Sequence, residues 1–206
     1  MDYETLAGRQ TIERAMNALK ERGMLPELAA TGAEALARIK ELIPPGATVM
    51  NGSSRTLEQV GFVDLLKEGG HGWNNLHEAV LAEKDPAKRA ALRKQAVLSD
   101  YYLGSAHAVA ETGELVIASN SGSQLPHLVF TSPNIILVVG AQKIAPTLDA
   151  AIARLNDHVL PLEDARMKQA GNAAGSYISK LLIINREPSF SGRKFHVILV
   201  NEKLGF

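Results

Sequence analysis

Asn134-Ile-Ile-Leu-Val-Val-Gly140 is the stretch on which the fold turns. Its unbroken apolar run is too short for a buried helix and is closed by glycine. Both features describe a strand covered on both faces, the situation of a central strand in a parallel sheet. A parallel sheet needs helical crossovers, and the flanking sequence offers them. Downstream, Pro146 stands in the first turn of a helical pattern that continues to about Asp157. Upstream, residues 124–130 read as a short helix, and Tyr101-Tyr102-Leu103 and residues 47–51 read as further strands. Residues 106–110 and 114–119 form a hairpin around Glu111-Thr112-Gly113. Asp85-Pro86 opens a helix to about Val97, with aspartate as cap and proline in the first turn. Thr56 and Gln59 have capping-box spacing and predict a helix start there.

The ends complete an α/β pattern. The first 43 residues read as two helices, one ending near Gly23 and one starting after Thr31, stopped by Pro44-Pro45-Gly46. Residues 180–185 and 194–200 are β-rich, with a turn over 189–193, and are expected antiparallel at one side of the sheet. The expectation is one α/β domain over residues 1–206: three layers, a mostly parallel sheet, a β-hairpin and a helical N-terminal segment. The apolar Leu204 and Phe206 are expected to dock the tail on its own domain, with a homo-oligomer left open.

Composition narrows the function classes. Twenty-two basic residues balance 22 acidic ones, so no net field draws the chain to nucleic acid or to an anionic membrane. The amphipathic start lacks the apolar run of a signal peptide or span, and the expected location is cytoplasmic. There is no cysteine, hence no disulfide, no thiol nucleophile and no cysteine-ligated zinc or iron–sulfur centre. His71 and His77 flank Trp73 at a spacing that fits no standard zinc pattern, so no metal is expected. Dinucleotide, P-loop and hydrolase-elbow signatures are absent.

Ligands of open parallel sheets gather beyond the carboxyl ends of the strands. Three loops meet that condition: Asn51-Gly52-Ser53-Ser54-Arg55-Thr56, then Gly104-Ser105 running to His107, and Ser119-Asn120-Ser121-Gly122-Ser123. Gly140 to Lys143 forms a fourth wall. The first and third join glycine, for close backbone approach, to hydroxyls, amides and a helix amino terminus, which suits a phosphate or carboxylate. Arg55 and Lys143 supply charge. Ser, Asn and Gly also make ordinary turns and caps, so it is the convergence of both loops that favours a ligand. His107, with Glu111 four residues on, is the candidate acid/base pair, weighed against a hairpin histidine bonded to backbone.

Taken in order, Asn51-Gly-Ser-Ser-Arg-Thr-Leu-Glu, the segment from Ser99 to Leu115, Gly122-Ser-Gln-Leu-Pro, Val138-Val-Gly-Ala-Gln-Lys, Leu160-Pro-Leu-Glu-Asp and Asn201-Glu-Lys-Leu-Gly-Phe resemble the LUD-domain family of lactate-utilisation proteins. The resemblance implies the fold shared by sugar-phosphate isomerases and CoA transferases, and a link to conversion of L-lactate to pyruvate beside iron–sulfur or flavin partner proteins. Where some relatives carry a cysteine-rich segment, this chain reads Arg166-Met-Lys-Gln-Ala-Gly-Asn-Ala-Ala-Gly-Ser-Tyr. The expected role is an accessory or ligand-binding component of organic-acid metabolism, with no intrinsic cofactor and a small anionic ligand. One alternative is a freestanding isomerase or transferase acting on a phosphorylated or CoA-linked metabolite, with Glu111 or Glu202 as base or nucleophile. The other is a protein-interaction module.

Overall fold

The computed structural model describes residues 2–206. The amino-terminal half opens with α1 (Arg9–Glu21), β1 (Leu25–Ala29), α2 (Gly32–Leu42), β2 (Thr48–Asn51), α3 (Arg55–Gln59) and α4 (Phe62–Glu68). It continues through β3 (Asn74–Asn75), α5 (Leu76–Ala82), α6 (Pro86–Gln95) and β4 (Tyr101–Gly104). The remainder is β5 (Ala108–Ala110), β6 (Leu115–Ser119), β7 (Asn134–Gly140), β8 (Ile144–Ala145), α7 (Leu148–Arg154), α8 (Leu160–Gln169), β9 (Lys180–Ile184) and β10 (Lys194–Val200).

A six-stranded sheet has the order β1-β10-β7-β4-β2-β3, and all its pairings are parallel. The central run reads as its sequence demands: Ile135 to Gly140 are all buried. Alternation divides it between two cores. Ile135, Leu137 and Val139 join Ile12 and Leu19 of α1, while Ile136 and Val138 join Ala35 and Ile39 of α2, Leu57 of α3 and Phe62 of α4. Each large apolar side chain so enclosed contributes about 1.5–3 kcal/mol.

The second sheet, β8-β5-β6-β9, is mixed. Val109, Leu115 and Ile117 face the main sheet, and Ala108 and Val116 face Ala151, Leu155 and Val159 on the far side. One face of the parallel sheet is therefore covered by helices and the other by α1 together with a second sheet, itself backed by α7. That corrects the simple three-layer expectation, while the α/β class holds.

Other corrections have local causes. Residues read as loop between two helices form β1, an edge strand with Leu25 and Leu28 half exposed, so it lacks the apolar run of an interior strand. β10 is not antiparallel: it lies parallel between β1 and β7, and of the two closing strands β9 alone runs antiparallel, against β6 in the second sheet. Pro146 precedes the cap Thr147 rather than occupying a first turn. The helical path then continues through a π-helical turn, Leu155–Val159, into α8, well past Asp157. The residue 124–130 segment contains a π-helical turn from His127. Asp85 caps α6 as expected, accepting from the Ala87 and Lys88 amides. Among the described residues no helix is long and apolar enough to cross a membrane.

Candidate functional site

Beyond the carboxyl ends of β2, β4 and β7 lies a cavity of about 520 Å³. Its floor is built around Lys143. Gly140 ends β7, and a short 3-10 turn carries the chain back under the strand ends. A side chain on Gly140 would meet the Leu204 amide at 2.8 Å, so Gly140 leaves room for the carboxyl-terminal segment rather than touching the cavity. The turn buries Lys143 almost completely. Its ammonium donates to Thr56 Oγ1 at 3.0 Å, Ser105 Oγ at 3.3 Å and the Ala106 carbonyl at 3.4 Å. No carboxylate pairs with it among the described residues. Burial, with the nearby Arg154 guanidinium adding repulsion, pushes its pKa down to about 7.

The loop after β2 differs from its capping-box reading. Ser54, not Thr56, caps α3 by accepting from the Leu57 amide, which leaves the Thr56 hydroxyl free to receive Lys143. Gln59 accepts instead from the Gly205 amide. Because α3 has only five residues, its amino terminus brings little dipole. Arg55 lines the cavity and pairs with Glu58 on the same helix.

His107 sits in the wall between β4 and β5. Its Nδ1 accepts from the Ala118 amide at 3.1 Å, so in the neutral ring the proton is on Nε2. Burial first, then Lys143 and Arg154, lower its pKa to about 3. His107 is thus held as a neutral N–H donor. Arg154, 1% exposed, stands behind it and donates to the His107 carbonyl at 2.6 Å and the Phe206 backbone oxygen at 3.3 Å.

The third loop is knotted on itself. Ser119 Oγ donates to Gln124 Oε1 and accepts from the Gly122 amide, both at 2.8 Å, and Ser121 and Ser123 share a hydroxyl bond. Ser119, Asn120, Ser121 and Ser123 line the cavity, together with Asn51, Gly52, Ser53, Ser54, Thr56, Gly104 and Ser105. Gly122 does not line it and turns the loop against Lys180. Glu111 is elsewhere: its carboxylate pairs with Arg14 at 2.7 Å, so His107 and Glu111 are not brought together.

The structure also brings in groups that the sequence did not assign to this site. His77 lines the wall, with Nδ1 3.0 Å from the Asn51 carbonyl. Arg93, in the last turn of α6, and Arg166 line the same space, the latter bidentate with Glu163. The cavity thus carries Arg55, Arg93, Lys143 and Arg166 against Glu163 alone among acidic residues. Only a fold that returns distant helices to one strand-end cleft could reveal that excess. Among the described residues no group of His, Asp and Glu could hold a metal.

These features define an α/β protein with a cationic, hydroxyl-rich cavity at the carboxyl edge of a parallel sheet. The LUD domain family profile matches residues 12–200, and the chain belongs to that family. A crystal structure of a DUF162 family protein from Deinococcus radiodurans is similar over 96% of this chain and 100% of that one, at 12% identity and a TM-score of 0.53. At that identity the likeness concerns the fold alone. No curated protein matches the sequence.

Proposed function

We propose that this LUD-domain protein binds a small carboxylate or phosphate in the strand-end cavity and serves organic-acid metabolism, in the conversion of L-lactate to pyruvate. The observation that carries the reading is the Lys143 ammonium, buried without a carboxylate and facing a cavity whose charged lining is mainly cationic. Burying an unpaired ammonium is costly, and an anion beside it offsets the cost. Oxidation of lactate releases two electrons. A chain without cysteine cannot hold them in a cysteine-ligated cluster, so they pass to a partner protein bearing iron–sulfur or flavin, and this chain acts as the accessory, ligand-holding component. The kinship to sugar-phosphate isomerase and CoA transferase folds belongs to the same reading, supported by the parallel sheet with ligand-facing loops at its carboxyl edge.

The isomerase or transferase alternative draws no support from its candidate carboxylates. Glu111 is engaged by Arg14, and Glu202 accepts from the Gly32 amide at 3.0 Å. The test is calorimetric titration of the pure protein with lactate, pyruvate, phosphate, sugar phosphates and CoA esters, repeated with Lys143→Met. Binding of a small anion that the variant loses is the expected result. Binding that survives in Lys143→Met, or none in the unaltered protein, removes the proposal.

A further inference from the structure

The three most exposed large apolar side chains among the described residues are Phe190 at 91%, Phe130 at 80% and Leu98 at 73%. They stand just ahead of β10, β7 and β4 respectively, at the end of the parallel sheet opposite the cavity. Val129, 52% exposed, adjoins them. Single surface apolar residues need no explanation, but their gathering on one edge does.

The gathering is held rigid. Arg193, with its side chain largely buried, crosses from one turn to the other. It pairs with Glu187 at 3.2 Å on the Phe190 side, and on the Phe130 side it donates to the carbonyls of His127 at 2.8 Å, Leu128 at 2.9 Å and Ser132 at 3.1 Å. Glu187 also accepts from Ser191 Oγ at 2.7 Å, closing the turn that carries Phe190. Ser99 Oγ lies 3.1 Å from Ser132 Oγ, which keeps Leu98 at the same edge as the Val129-Phe130 turn. A buried ion pair and three satisfied carbonyls thus order two turns whose phenylalanines pack little against their own chain. Such ordering does little for folding, but it lowers the entropic cost of a later contact.

We propose that this edge is the interface of a two-fold symmetric homodimer, with the Phe130 turn of one copy set against the Phe190 turn of the other. Size and charge favour a second copy as the occupant. Each aromatic ring offers about 150–250 Å², so the four side chains expose on the order of 500 Å² of apolar surface. That approaches the apolar share, about 60%, of the roughly 800 Å² that each partner buries in a standard interface. The rim carries both signs, Asp100 against Arg186 and Lys194, all exposed, and the chain has no net charge. An isologous contact sets this rim against its own rotated copy, where unlike charges meet without net repulsion. The cavity at the other end of the strands stays open in such a dimer.

The test is sedimentation equilibrium of the full chain at concentrations up to about 100 μM, above the micromolar-or-tighter range of standard interfaces. A reversible monomer–dimer equilibrium is the expected result. Phe130→Ser and Phe190→Ser should each weaken it at least about thirtyfold, with circular dichroism unchanged because neither ring is packed in the core. Leu28→Thr, which removes a half-exposed leucine from the outer strand β1, should leave it unaltered. A chain that stays monomeric throughout overturns the proposal, and pelleting of that monomer with phosphatidylcholine vesicles would give the patch to a lipid surface instead. A dimer that both phenylalanine variants keep at full strength, or that Leu28→Thr weakens equally, overturns it as well.

Discussion

The Lys143 ammonium nitrogen stands 3.0 Å from the Thr56 hydroxyl, which ties the turn after β7 to the first turn of α3 beneath the cavity. Hydroxyls and a carbonyl solvate the charge but do not neutralise it. Burial leaves Lys143 with a pKa of about 7, so its charge changes within the physiological range. An anion needs the ammonium form. Its affinity should be constant below about pH 7 and fall about tenfold for each pH unit above it. Titrations from acidic to alkaline buffer check this, and a flat profile would count against Lys143 as the anchoring charge.

The same depressed pKa predicts that the ligand-free protein is strained by Lys143. A lysine lowered from 10.5 to about 7 binds fewer protons folded than unfolded in that interval. Its contribution to stability is therefore fully present above 10.5 and is lost as pH falls through about 7. Lys143→Met, which keeps the length and removes the charge, should raise the melting temperature of the ligand-free protein near neutral pH by about 3 °C or more, while abolishing anion binding. Scanning calorimetry of both proteins across pH decides it. Melting curves that stay parallel at all pH values would contradict the assignment.

How much of this the sequence displayed depends on how local each signal is. Residues 134–140, an unbroken apolar run, and the β-rich residues 194–200 read as strands without help, and Asp85-Pro86 named its own helix start. β1 did not, because Leu25-Pro-Glu-Leu-Ala presents two half-exposed leucines and a glutamate that pairs with Arg38, the chemistry of an edge. The partner of residues 194–200 was misjudged for a related reason: strand character is local, whereas pairing is decided by where the crossovers run. The loops after β2, β4 and β6 were legible as strand-end loops and do line one cavity. Ser54 and Thr56 exchanged the roles assigned to them, since either hydroxyl fits a cap and only the position of Lys143 chooses. Arg93, Arg166 and His77 carried no signal, because a helix face looks the same in sequence whether it meets solvent or a cleft.

The carboxyl-terminal strap offers a test of the cavity floor. Gly205 adopts φ +68° over Lys143, where an added methyl would come 2.8 Å from the ammonium nitrogen and collide with the Thr56 hydroxyl. Gly205→Ala therefore combines a strained backbone with a clash. It should cost about 1–3 kcal/mol and weaken anion binding, since Lys143 or the strap must move. Urea unfolding with parallel titration reads both, and an unchanged midpoint with unchanged affinity would show that the strap does not bear on the site.

Arg154 holds the other side of the strap. Its guanidinium reaches the backbone oxygens of His107 and Phe206 and, at 3.4 Å, that of Tyr3. A planar fork can serve partners in different directions, which a lysine ammonium on a flexible stem does poorly. Arg154→Lys should be destabilising by about 2–4 kcal/mol, close to the effect of Arg154→Met, because the loss lies in satisfied carbonyls rather than in charge. Full rescue by lysine in equilibrium unfolding would refute that account.

Two buried histidines set the acid limit. His107 is lowered to about 3 by burial, then by Lys143 and Arg154, and His127 to about 4 by burial alone. His127 is enclosed, with Nδ1 2.8 Å from the Ser132 hydroxyl and its ring stacked 4.5 Å from Tyr102. Both fold as neutral rings and both take up a proton more readily when unfolded. Their contribution to stability is therefore complete above about pH 6.5 and is lost as pH falls toward 4 for His127 and toward 3 for His107. Each should add about 1.4 kcal/mol per pH unit to the slope of unfolding free energy within its window. His127→Phe retains the stacking on Tyr102 and cannot titrate, so its stability should decline with acid more shallowly than that of the unaltered protein, by about one proton's worth, even if its stability at neutral pH is lower. The slope is the readout because it separates titration from packing, and urea midpoints at successive pH values supply it. Identical slopes in the two proteins would mean that His127 does not set the acid limit.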